Sequence, residues 1–199
     1  CLLDKIPMEG RMIDGRVGYF TNKVRNYDNA VYDKGECEFI SRWKLVPHRE
    51  QLEAYLGGDL VEPIKPIVFY IDKQIPTWLY PYVKRAVEAW QPAFERAGFK
   101  NAILARPEPT YAEDSVFSVD NARYAYISYK TAPLKNAYGP SSVDPRSGEI
   151  LCSHIGIFNS ISDLVQELYF CQAGALDSLA RRIVLPDTLL GKLIQYVVC

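Results

Sequence analysis

Five cysteines and two histidines are the residues of this chain best suited to metal binding or nucleophilic chemistry, and their spacing argues against both. Cys1, Cys37, Cys152, Cys171 and Cys199 are odd in number, widely spread and free of any CxxC pair. They match neither a disulfide framework nor a zinc-ribbon pattern. Cys152-Ser153-His154 sets a thiol and an imidazole two residues apart, and on a strand these share a face. They could offer two metal ligands or a thiol beside a base. Two such groups do not complete a site, so the simpler expectation is a core cysteine beside a polar edge residue. His48 follows Pro47 in a polar stretch and is expected to be solvated. There is no HExxH, no GxSxG and no glycine-rich phosphate loop. Glu88 and Glu95 belong to the charged face of a helix. Tyr124, Tyr126 and Tyr129 have few basic neighbours and are expected to pack on a sheet rather than stack nucleobases. No catalytic residue and no metal ligand is assigned in the chain as it stands.

The elements that would position any site read as an α/β fold. "KPIVFYID" (Lys65 to Asp72) is a buried strand by its β-branched and aromatic run. Leu79, Val83, Ala86, Trp90, Phe94 and Ala97 then recur as one helical stripe closed by Gly98. Pro81 suits the first turn, whereas Pro92 predicts a kink or a helix in two pieces. "NAILARPEP" and "ARYAYISYK" (Ala122 to Lys130) follow as strands. "NAYGPSSVDPRSGEILCSHIGIFN" reads as two strands around a turn at Asp144 to Gly148. A helix, "SISDLVQELYFCQAG", has Ser162 or Asp163 as its expected cap. The last helix, "LLGKLIQYVV", starts after Asp187 as its cap. It carries the rows Leu189, Leu193, Val197 and Leu190, Ile194, Val198. The order of strand, long helix, strands and helices implies one mixed sheet.

Residues 1–60 read as an N-terminal extension packed on the main domain, with strands in Arg16 to Val24 and Cys37 to Val46. A short helical turn follows, stopped by Gly57 and Gly58. Residues 61–199 form the main domain. With 199 residues, 48% hydrophobic and 24% charged, the chain can bury one good-sized core. A net charge of -1 gives no electrostatic argument for nucleic acid as a partner. No apolar run approaches the roughly 20 residues of a transmembrane segment.

Seven short stretches run in one order: "RVGYFT" (Arg16 to Thr21), "KPIVFYID", "YVKRAVEAWQPAFERAGFKNAI" (Tyr82 to Ile103), "DNARYAYISY" (Asp120 to Tyr129), "NAYGPSSVDPRSGEIL" (Asn136 to Leu151), "FCQAGALDSLARR" (Phe170 to Arg182) and "LPDTLLGKLIQYVV" (Leu185 to Val198). Together they resemble bacterial zinc-dependent metalloproteases of the metzincin clan, similar to matrixins. The resemblance implies a metzincin-like upper subdomain, with one mixed twisted sheet, a long helix packed on it and further helices at its C-terminal end. It implies an endopeptidase that hydrolyses peptide bonds with a zinc-activated water, and a last helix leading into HExxHxxGxxH. Zinc would then belong to the parent protein, with none expected on this chain.

By the same resemblance, the edge strand Lys135 to Val143, paired with Glu149 to Phe158, would bind a peptide or protein substrate by strand addition. Asn136, Ala137, Tyr138, Gly139 and Ser141 would make backbone contacts to it. Gly139 would allow close approach, and Pro140 would limit pairing and guard the edge against aggregation. His154 and Gly156 stand where the resemblance would place an acidic and an apolar residue. It further implies a periplasmic, outer-membrane-anchored or secreted location. Cys1, as the leading residue, is expected to be a fragment boundary, with a lipid-bearing residue as the alternative. Leu190, Ile194 and Val198 are expected to lie exposed and to drive self-association. The alternative from another class is a non-catalytic peptide- or protein-binding domain with a peptidase-like fold. A third possibility is a cysteine-dependent enzyme using Cys152 and His154.

Overall fold

The computed structural model describes residues 3–25, 36–182 and 184–198. Cys1, the candidate lipidation site, and Cys199 lie outside the described residues, as does most of the polar stretch between the first two strands. The chain opens with an antiparallel pair, β1 (Thr21–Arg25) and β2 (Glu36–Ile40). Both are shorter than the sequence suggests. Before β1, the Val17 N–H turns back onto the Asp14 carbonyl at 3.0 Å, and Arg16 pairs with the Asp14 carboxylate, so this segment is a turn. After β2, the chain leaves its partner strand and Arg42 bridges to Glu149 instead. Trp43 and Leu45 from this stretch insert against the main core. A short helix, α1 (Leu52–Leu56), lays Tyr55 on Phe99, with ring centroids 5.0 Å apart.

The main sheet contains β3 (Ile67–Ile71), β4 (Ile103–Pro107), β5 (Ala125–Lys130), β6 (Ala137–Tyr138), β7 (Ser141–Asp144) and β8 (Glu149–Phe158). Its order is β4-β3-β5-β8-β6, with β7 also paired to β8. β3, β4, β5 and β8 run parallel, while β6 and β7 run antiparallel to β8. The molecule is thus a mixed α/β structure on a mixed sheet. Alternation along β3 turns Ile67, Phe69 and Ile71 to one face. The registers carry that face onto Ile103, Ala125, Ile127 and Ile157. Burying these side chains away from water is the main term holding sheet to helices.

Helices α2 (Tyr80–Glu88) and α3 (Gln91–Arg96) replace the single long helix, and Pro92 lies in the first turn of α3. A proline there has no intrahelical bond to lose. The break also shifts the phase of the stripe. Leu79, Val83, Ala86 and Val87 are buried, but Trp90 is half-exposed and Ala97 exposed. Gly98, at φ +89°, closes α3.

Helix α4 (Ile161–Ala173) begins earlier than expected. Ser160 is its N-cap residue, and the Ser162 hydroxyl donates back to the Asn159 carbonyl, so neither Ser162 nor Asp163 caps it. Helix α5 (Asp187–Val198) includes Asp187 as its first residue. The Pro186 carbonyl instead receives the Leu189 and Leu190 N–H groups. The stripe of α5 is not left open. Ile194 is 0% exposed and Leu190 is packed on the core, because α2 and α4 both lie against this helix. The Val198 side chain lies outside the described residues. Gly191 makes the approach to α2 possible, since the Tyr82 ring fills the space a Cβ would take. The described apolar groups of α5 that do face outward are Tyr196 and Val197. Among the described residues no helix is long and apolar enough to cross a membrane.

Candidate functional site

The edge formed by β6 and β7 is where the sheet offers unpaired backbone. The Phe158 N–H donates to the Asn136 carbonyl at 3.4 Å, and the His154 N–H to the Pro140 carbonyl at 3.1 Å. These two bonds make the even-numbered residues of 136–142 the ones whose main chain faces β8. Ala137, Gly139 and Ser141 therefore present their N–H and C=O groups away from the sheet. The Ala137 N–H is already taken, accepted by Asn136 Oδ1 at 2.8 Å. Among the described residues, what remains for an incoming strand is the Ala137 carbonyl and both groups of Gly139 and Ser141.

The register thus divides the five residues assigned from the sequence. Gly139 and Ser141 are exposed and turn outward, and Ala137 contributes its carbonyl. Asn136 and Tyr138 are also exposed, but their main chain is spent on β8. Asn136 acts through its side chain as a cap. Tyr138 acts through its ring, which lies over Gly156 and 5.8 Å from the Phe158 ring centroid. Pro140 falls on an inward position. Its missing N–H weakens pairing with β8 and leaves the outer row intact, so it does not guard the edge as expected.

β8 carries the rest of the site's frame. Opposite the step from Ser142 to Val143 the register skips Leu151, an extra residue in β8, and the turn beyond is held by Asp144. Arg146 donates to both Asp144 carboxylate oxygens, at 3.0 and 2.7 Å, and from Nη2 to the Asp4 carbonyl at 2.9 Å. The Arg146 side chain holds the Asp144 carboxyl below the usual carboxylate range, against the effect of burial. Lys44 pairs with Asp4 at 2.6 Å, so the N-terminal segment is tied to the same turn.

Two concave features flank this frame. A groove of about 370 Å³ between the start of β6 and α4 is lined by Lys135, Asp163, Glu167, Phe170, Ala180 and Arg182. Lys135 pairs with Glu167, and that hydrogen bond holds its ammonium above the ordinary lysine value. A second cavity of about 290 Å³ lies between the sheet and α2–α3, lined by Trp43, Phe69, Trp90, Phe94, Ile103 and Ile155. It is apolar, and no polar groups converge on it to do chemistry.

The cysteine–histidine pair does not assemble. Cys152 is buried, and two residues along a strand stand ~7 Å apart. The His154 Nε2 lies 3.2 Å from the Tyr124 carbonyl. That oxygen can only accept, so Nε2 is the donor in this contact. His48 is exposed in its loop. Tyr124 packs edge-on against Tyr70 and Phe117, and Tyr126 lies tilted against Phe117; their hydroxyls donate to Asp114 at 2.7 Å and to Glu108 at 3.0 Å respectively. Burial above all, then the Asp72 charge, pushes the Tyr126 hydroxyl far above its normal range. These rings form a packed layer and not an open stacking platform.

Among the described residues no three His, Cys, Asp or Glu side chains come together as a metal site. Asn136 and Gly156 were singled out from the sequence, but the role of Asn136 as a cap, and those of Lys130 and Gly156 as packing partners of the edge, were not read there. Only Asn136 left a signal there, as a short amide side chain directly before a strand.

A family described only as a domain of unknown function (DUF5117) matches residues 1–48. No curated protein and no solved structure matches the chain.

Proposed function

We propose that this chain binds an extended peptide along the β6–β7 edge, as part of a zinc-dependent endopeptidase whose metal ligands follow Cys199 in the parent protein. The observation that carries the proposal is the outward row of Ala137, Gly139 and Ser141 on an antiparallel edge. A peptide laid beside that row gains main-chain hydrogen bonds without regard to its sequence, which suits an enzyme acting on extended substrates. The role of this chain is to bind and align. Gly139 brings no side chain between the incoming backbone and its own, and Ile155 is the nearest group to the position its Cβ would take, at 3.5 Å. The mixed sheet with α2 packed on it and helices C-terminal to it supports the same reading, because the metzincin resemblance implies a mixed sheet with a helix on it and further helices after it.

The test uses the polypeptide extended along its reading frame past Cys199. Discovery of HExxHxxGxxH there, with chelator-sensitive cleavage of denatured casein that Gly139→Pro slows by about tenfold, would support the proposal. A frame without HExxH ends the peptidase half of it. In that case, binding of a capped heptapeptide of alternating valine and threonine to the present chain would leave the non-catalytic peptide-binding domain as the function. No binding by either polypeptide would sink both.

A further inference from the structure

We propose that Gly156, Tyr138 and Lys130 form a latch that sets the position of the peptide-binding edge. The need for one follows from the edge itself. β6 has two residues, and the proline after Gly139 removes an inward donor, so backbone pairing alone holds this strand weakly. Packing must supply the difference. A Cβ at position 156 would lie 2.5 Å from Tyr138 Cε1 and 2.6 Å from its Cζ. The ring therefore occupies the volume that any other residue would need. Tyr138 and Gly156 are also directly paired across the strands, so the ring covers bare backbone of its own partner.

The other two contacts hold the ring down. Phe158 flanks it, with centroids 5.8 Å apart, and the Lys130 ammonium sits 5.0 Å from the ring centroid while hydrogen-bonding the Tyr138 hydroxyl. Lys130 comes from β5, on the far side of β8, so the latch spans three strands. Tyr138 is 39% exposed, so trimming it opens no cavity in the main core. Glycine at 156 in place of an apolar side chain is then a positional requirement. It lets a ring from the edge strand do what a side chain on β8 cannot, which is to tie the edge down while leaving its outer backbone free.

The latch rests on the peptide-binding proposal only for its purpose; its mechanics are tested without peptide. The His154 and Phe158 N–H groups donate to the Pro140 and Asn136 carbonyls, so their hydrogen exchange reports edge docking. Tyr138→Ala and Gly156→Ala should each speed exchange at both amides by about tenfold. The Asp72 N–H, bonded to the Ile127 carbonyl inside the sheet, should be unchanged. The double variant should exchange no faster than Tyr138→Ala alone, because the three atoms nearest an added methyl all belong to the ring that is gone. Tyr138→Phe should keep most of the protection, and losing the remainder identifies the Lys130 bond.

Unchanged exchange in Tyr138→Ala overturns the latch, and this variant decides the matter even where Gly156→Ala fails to fold. Additive effects in the double variant also overturn it. With the Val/Thr heptapeptide as probe, affinity should fall in Tyr138→Ala at unchanged melting temperature and recover in Tyr138→Phe. Full affinity with a loosened edge would show that Tyr138 does not position the site. A parent chain that shows the exchange pattern but never binds the peptide keeps the latch and refutes the peptide-binding proposal.

Discussion

The two borders of the sheet each contain a proline, and the two prolines do opposite things. In β4 the parallel register sends the even residues toward β3, as the bonds Ile67 N–H to Ala102 carbonyl and Glu108 N–H to Ile71 carbonyl mark. Ile103, Ala105 and Pro107 face outward. The Ile103 N–H is accepted by Gln91 Oε1 at 3.3 Å, and Pro107 has none, so one outward donor is left, at Ala105. That border is blunted. In the β6–β7 border the proline sits on the inward row, and Gly139 and Ser141 keep their outward donors. The same residue takes an outward donor from one edge and leaves those of the other in place, because what matters is which side of the strand its nitrogen faces. An edge left open in this way is an unpaired template for another chain, which is why the candidate site lies there.

The sharpest contrast between the borders is in stability. Ile127 lies in the middle of the parallel half, fully buried, and Ile127→Ala should cost about 2–5 kcal/mol in urea unfolding. Peptide affinity of the surviving native protein should hardly move. Equal losses in both would mean that the edge and the core are one cooperative unit. Gly139→Pro should do the reverse. It removes only an outward donor, so stability should stay within ~0.5 kcal/mol while heptapeptide affinity falls by about tenfold. Retained affinity would place the contact elsewhere.

Acid should loosen the β7–β8 turn. The Asp144 carboxyl is held below its unfolded value of ~3.9, so its contribution is complete above that pH and is lost as the pH falls through the folded value. A pH titration of stability should show a falling acid limb that Asp144→Asn flattens; an unaltered limb would remove this pair from the account. The smallest effect is expected at Lys135, whose ion pair with Glu167 is solvent-exposed. Lys135→Met should leave the melting temperature unchanged. A clear drop would make the groove beside β6 part of the edge's support.

Much of the frame was legible in the chain. The alternation of Ile67, Phe69 and Ile71, the stripe from Leu79 to Ala86 and the helix break at Pro92 are local patterns, and each appears where its period places it. The stripe of α5 was visible too, but its exposure was misjudged. Periodicity says that Leu190 and Ile194 need cover, and only the packing shows α2 and α4 giving it, with Gly191 clearing the way for Tyr82. The helix starts were misplaced by one to three residues, because Ser162 and Asp187 look like caps whatever their neighbours do. The bound of β1 failed for a similar reason, since Asp14 bonds its own turn before a strand can begin.

What the sequence alone determined, then, is the set of elements, because helix and strand periods are written in neighbouring residues. It also placed an edge hairpin between Lys135 and Phe158. Only the tertiary structure decided which backbone groups of that hairpin face outward. Outwardness is a parity, set by how residues 136–142 register against β8, and a shift of one residue would exchange Gly139 and Ser141 for Tyr138 and Pro140. The same holds for Gly156. In the chain it looks like a missing apolar side chain, and its purpose appears only when Tyr138, eighteen residues away, is brought over it.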